Sequence, residues 1–172
     1  MLGYTIEQYL LDRANIHDTI TKMALYADRR NYEGTLREVL VKEGLSIDYT
    51  ALAGGEPQTP TPRDHVSAWK GMMGFIDNAH HLTTCLLAEL PQPAADVPPP
   101  TTAKAQGSTM VTMHRENVKG DKLLQNGQIY DFELRKEEVS GGGNPWHISF
   151  IKITPVWFEG NMEIIIPPPP SS

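Results

Sequence analysis

Near residue 79 the spacing of apolar residues changes from three or four to two, and that change limits the chain to helices followed by a sheet. Before it, Ile6, Tyr9, Leu10, Ile16, Ile20, Met23 and Ala27 form one apolar stripe after Thr5, which predicts a helix over 6–28. Asn31 can cap a second helix from Tyr32 to about Glu43, with Leu36, Val39 and Leu40 inward and Gly44 as a left-handed stop. Residues 45–50 alternate and read as a first strand, with Ile47 and Tyr49 on one face and Asp48 on the other. The stretch 54–60 is turn chemistry. Thr61, Pro62 and Asp64 then open a third helix whose apolar face is Val66, Trp69, Met72, Met73 and Ile76.

From residue 79 the pattern is that of strands. A strand over 79–90 puts His81, Thr83, Cys85 and Leu87 on one face and His80, Leu82, Leu86 and Leu90 on the other. Both faces are partly apolar, so a central strand is expected. Residues 91–107 include Pro98, Pro99 and Pro100 and read as a loop or mobile insertion, because proline has no N–H for a sheet ladder. Strands are predicted again at 108–118 (Met110, Thr112 and His114 facing one way), 127–138 (Gln128, Tyr130, Phe132, Leu134) and 145–158 (Trp146, Ile148, Phe150). Hairpin turns at 119–121 and 140–144 join them. The expected fold is α+β, a curved antiparallel sheet wrapped around three helices, with a small-molecule cavity on its concave side. Residues 1–160 form one domain with an insertion at 91–107, and 161–172 form a proline-rich tail, frayed at Pro167–Ser172.

At 172 residues, folding should bury about 70% of the surface of the unfolded chain in one core. The formal charge of −6, with 15 basic residues scattered among 21 acids, argues against nucleic acid as a partner. Cys85 is the only cysteine, which excludes an intrachain disulfide and fits a reducing compartment. Neither a signal peptide nor a membrane-length apolar run is visible, so a cytoplasmic location with no membrane partner is expected.

Three stretches place titratable or hydroxyl side chains among apolar neighbours: Tyr26-Ala27-Asp28-Arg29-Arg30-Asn31-Tyr32, Ser46-Ile47-Asp48-Tyr49-Thr50 and Ala79-His80-His81-Leu82-Thr83. A histidine held by a carboxylate can take a proton from carbon and return it to a leaving hydroxyl. His81 also reads as a core histidine satisfied by a backbone carbonyl, and Asp28 as a helix cap or a surface partner of Arg29 or Arg30. His80 and His81 are adjacent and cannot both face one ion from a regular strand, so no metal site is expected. Nothing resembles a phosphate cradle or nucleophile elbow, so no cofactor is called for.

With Trp146-His147-Ile148-Ser149-Phe150 on the last strand, the order of these stretches over about residues 5–158 resembles the SnoaL-like branch of the NTF2-like superfamily, and within it the scytalone dehydratases. The resemblance implies an NTF2-like α+β barrel, or cystatin-like cone. It also implies His81 as acid/base oriented by Asp28, Tyr49 polarising a carbonyl through water, and His114 as a second histidine. Tyr26 stands in for a further tyrosine. Gln128 and Tyr130 occupy the positions of a serine and an asparagine that line the dehydratase pocket, which puts a shared substrate in doubt. Trp69, Met73 and Cys85 complete the expected pocket wall. The implied activity is a cofactor-independent lyase or isomerase, a dehydratase or cyclase, acting on a small hydrophobic oxygenated intermediate of secondary metabolism. The alternatives are a pericyclase and a non-catalytic binding or dimerisation module, and a homo-oligomer, dimer or trimer, is expected of the family.

Overall fold

The computed structural model describes residues 3–168. Its elements are α1 (Ile6–Asp28), α2 (Tyr32–Glu38), β1 (Ser46–Asp48), α3 (Thr50–Ala53), α4 (Pro62–Met73), β2 (Asn78–Glu89), β3 (Thr102–His114), β4 (Leu123–Lys136), β5 (Trp146–Gly160) and a closing 3-10 turn, Met162–Ile165. The strands form one open mixed sheet in the order β1-β5-β4-β3-β2, with β2 to β5 an antiparallel meander and β1 parallel to β5. The α+β expectation of helices against a curved sheet is met.

Local chemistry explains the helix starts. Thr5 and Gln8 form a reciprocal capping box on α1, their side chains accepting from each other's backbone N–H at 3.2 and 3.0 Å. Thr61 caps α4 by accepting from the Asp64 N–H at 3.1 Å, and Pro62 takes the first turn.

Four expectations are corrected. α2 ends at Glu38, because the β-branched Val39 and Val41 exchange backbone hydrogen bonds with Ile148 and run beside β5 instead. β2 is an edge strand, not a central one, and α1 covers its outer side. β3 begins at Thr102, so the proline-rich connection is shorter than expected and is tied down: the Tyr4 N–H donates to the Val97 carbonyl at 2.7 Å. The tail forms the closing 3-10 turn, whose Ile164 is buried; Pro169–Ser172 lie outside the described residues.

Inward side chains fall into two separate apolar clusters. The larger joins Ile16, Ile20, Val66, Ala105, Phe132 and Leu134 with Trp146 and Ile148. The smaller joins Met73, Ile76, Val111, Met113, Leu124 and Ile164. On the outer face, the Trp157 indole lies where a Cβ on Gly127 would stand. Among the described residues no helix is long and apolar enough to cross a membrane.

Candidate active site

The two clusters are separated by a polar band. Along β4 the inward series runs Leu124, Asn126, Gln128, Tyr130, and along β3 it runs Val111, Thr109, Gly107, Ala105. On β2 it runs Ala79, His81, Thr83, then Leu86. Register aligns His81 with Val111 and Asn126, and Thr83 with Thr109 and Gln128. The band therefore crosses three strands, and Asn126 stands roughly 10 Å from His81 at two strand spacings.

His81 is fixed at two points. Its backbone N–H points off the open edge of β2 and donates to both Asp28 oxygens, at 3.0 and 3.2 Å. Its ring Nδ1 lies 2.6 Å from Asp28 Oδ1. Asp28 ends α1, so the helix terminus supplies the acceptor that an edge strand otherwise lacks. The next turn is tight, with Arg30 at φ 54°, and the Arg30 guanidinium donates to the Ile76 and Asp77 carbonyls just ahead of β2. The side chains of His81 and Asp28 are 15% and 16% exposed, enough shelter to strengthen their attraction while leaving the ring accessible. With Nδ1–H donated to the carboxylate, Nε2 carries the lone pair and can act as a base.

The rest of the band is short of partners. Thr83 and Thr109 hydroxyls meet at 3.1 Å, but Asn126 Oδ1 and Gln128 Oε1 are buried with none. Asn126 is 1% exposed and Gln128 6%. A buried amide oxygen without a hydrogen bond costs about 1–3 kcal/mol, and a guest that donates to it removes that cost.

Beyond the band lie Tyr49, at the start of α3, and Tyr130, stacked on Phe132 at 5.7 Å. Burial raises both phenols well above their ordinary pKa, and at Tyr49 the nearness of Tyr130 adds to it, so both remain protonated donors. His65 of α4 faces Tyr49 with ring centres 6.2 Å apart, and burial lowers its pKa, favouring the neutral form.

Of the residues expected in the site, the structure brings Asp28 and His81 together, and Gln128 shares their inward band. Tyr49 and Tyr130 share the larger cluster. Met73 and Trp69 belong to the smaller one, Trp69 with its ring edge to Tyr32. Three residues are elsewhere. His114 is on the outer face, 3.6 Å from Glu116. The Tyr26 hydroxyl donates to Glu38 at 2.9 Å, drawn by that carboxylate. Cys85 is exposed: a bulge between Thr84 and Leu87, with Cys85 at φ 53°, shifts the alternation so that Leu86 turns inward instead. Sequence reasoning missed Asn126 and His65. Continuing the alternation of β4 back to Leu124 would have found the first, and the spacing of four from Trp69 the second.

Two open clefts lie away from the Asp28–His81 pair. One, of about 330 Å³, is bounded by Asp12, Lys136 and Asn144; the other, of about 490 Å³, is bounded by Asp48, Lys104, Asp131 and Lys152. In the first, Asp12 is already saturated by Tyr4, Lys136 and Trp146. Among the described residues no group of three or more His, Cys, Asp or Glu side chains could hold a metal.

The SnoaL-like domain model matches residues 8–152. No curated protein matches the chain in sequence. Among solved structures, a protein of Kribbella flavida is similar at 20% identity and TM-score 0.73, covering 86% of this chain and 93% of that one. A candidate scytalone dehydratase of Novosphingobium aromaticivorans is similar at 12% identity and TM-score 0.69, covering 90% and 91%. The hexachlorocyclohexane dehydrochlorinase LinA-type3 of Novosphingobium barchaimii is similar at 16% identity and TM-score 0.69, covering 96% and 100%. The structural likenesses show an NTF2-like fold, and the domain match over 8–152 places the chain in the SnoaL-like domain family.

Proposed function

We propose that this protein is a cofactor-independent lyase or isomerase that eliminates or shifts a group by proton transfer through His81. The observation that carries the reading is the double grip of Asp28 on His81, which leaves Nε2 as the free basic nitrogen. In the dehydration form, Nε2 takes the proton from a carbon next to a carbonyl. The electron pair passes into the carbonyl as an enolate, then returns to expel a hydroxyl from the β-carbon. The imidazolium, steadied by Asp28, gives its proton to that hydroxyl, and water leaves. Tyr49 donates to the carbonyl oxygen, and the amide oxygens of Asn126 and Gln128 accept from substrate hydroxyls. The apolar clusters on either side suit a hydrophobic, oxygen-bearing ring of secondary metabolism. Loss of water and loss of hydrogen chloride are both eliminations, so the dehydratase and the dehydrochlorinase among the structural relatives agree with this class.

The test is turnover of β-hydroxyketones and chlorinated alicyclic compounds, followed by product absorbance and by deuterium uptake from heavy water. General acid/base catalysis contributes about 10²- to 10⁴-fold, so His81→Ala should lose at least about 10²-fold. An unchanged rate in that variant would remove proton transfer from the mechanism and leave a pericyclic reaction guided by shape.

A further inference from the structure

Helix α1 ends in a Schellman turn, closed by the Arg30 N–H donating to the Ala27 carbonyl at 3.1 Å and the Asn31 N–H donating to the Tyr26 carbonyl at 2.9 Å. Such a turn needs a left-handed residue at position 30, a place usually held by glycine because a side chain is disfavoured there. Here it is an arginine, at φ 54°. A backbone conformation of this kind is kept where the surrounding contacts impose it, and such residues gather at functional sites.

The contact that imposes it is made by the side chain. Arg30 Nη2 donates to the carbonyls of Ile76 and Asp77, the second at 3.0 Å. Both acceptors are firmly held. Ile76 is buried in the smaller cluster, the Asp77 N–H donates to the His114 carbonyl at 3.0 Å, and the Asp77 carboxylate accepts from the Glu116 N–H at 2.6 Å. Asp28, two residues before Arg30, grips His81, four residues after Asp77. The same two segments are therefore tied twice, at points roughly 13 Å apart along the strand. One tie leaves the helix end free to pivot about His81, whereas two fix both its angle and its slide. The 2.6 Å contact between His81 Nδ1 and Asp28 Oδ1 tolerates little of either movement.

We propose that Arg30 is a positioning residue for His81: its guanidinium holds the end of α1 against the start of β2, so that the Asp28 carboxylate meets the ring and keeps its proton on Nδ1. The guanidinium acts through Asp28 and takes no part in the proton transfer. Its bearing on turnover rests on the reading of His81 as the base; its bearing on ring geometry does not.

Arg30→Gly puts the favoured residue at the turn and removes only the side-chain tie, so the variant should fold, as circular dichroism checks. Arg30→Asn, which also accepts the left-handed turn, repeats the test with a second short side chain. Arg29→Ala removes the neighbouring positive charge and leaves the tie in place. In the ¹⁵N-labelled full chain, the His81 Nδ1–H should exchange with water at least tenfold faster in both Arg30 variants than in the wild type. The ring should also become a mixture of tautomers in both, while Arg29→Ala keeps the wild-type values. Wild-type exchange and tautomer in a folded Arg30 variant would overturn the assignment, and so would a wild-type ring without a protected Nδ1–H. An equal change in Arg29→Ala would overturn it by making the effect one of charge, and failure of both Arg30 variants to fold would overturn it by assigning the residue to stability alone. None of these readings uses a substrate, so failure of the elimination chemistry is seen separately from failure of this tie.

Discussion

One carboxylate, that of Asp28, engages His81 twice, through the backbone N–H at 3.0 Å and the ring Nδ1 at 2.6 Å. Two contacts to different parts of one residue fix ring position and ring orientation together. Asp28→Asn keeps an acceptor for the N–H but removes the charge that steadies an imidazolium. It should lower turnover by about 10²-fold with little change in melting temperature. Asp28→Ala also strands the strand-edge N–H and should cost about 1–3 kcal/mol in urea unfolding.

The same geometry fixes a tautomer. In ¹⁵N-labelled protein at neutral pH, His81 Nδ1 should show the protonated, pyrrole-like shift and Nε2 the bare, pyridine-like one. Asp28→Asn should weaken that preference, and a wild-type ring with its proton on Nε2 would contradict the assigned base.

Asn126 and Gln128 set binding against stability. Replacing Asn126 with Leu, similar in shape and apolar, removes a buried oxygen that has no partner. The variant should gain about 1 kcal/mol in chemical denaturation while losing affinity for oxygenated ligands. A stability loss would mean that Oδ1 is satisfied in solution.

Arg115 is buried and donates to the carbonyls of Glu163, Ile164 and Ile166 while lying 5.1 Å from the Phe75 ring centre. Arg115→Met should release the closing 3-10 turn and destabilise by about 2–3 kcal/mol. Hydrogen exchange should report it first at Ile164 and Ile166.

Hydrogen bonds from Arg37, then Lys22 and Tyr26, hold the Glu38 carboxyl down to about 2 from its ordinary 4.5. A depressed carboxyl stabilises fully above the unfolded value, and the contribution fades as pH falls through the folded one. Stability should therefore decline between about pH 4.5 and 2, and Glu38→Gln should flatten that limb of the urea-midpoint profile.

Much of the fold was legible because period and caps agree: Thr5, Thr61 and Pro62 mark helix starts where the structure has them. The long-range pairing was harder. Both faces of β2 are partly apolar, which resembles a central strand, but the cover on its open edge comes from α1. Residues 102–107 alternate Ala and Gly with polar side chains, a weak strand signal beside the prolines at 98–100. Alternation alone puts Cys85 on the inner face because it assumes an unbroken ladder, and a bulge resets it. His65 was hidden by its apolar helix neighbours, since one polar residue on such a face says little until the fold shows what it meets.

The Trp157 indole over Gly127 limits how this sheet can change. No side chain can be accommodated at 127 while the indole stays, and a smaller residue at 157 would open a furrow over β4. The two positions are therefore bound to vary jointly, and any redesign of the outer surface has to treat them as a single unit.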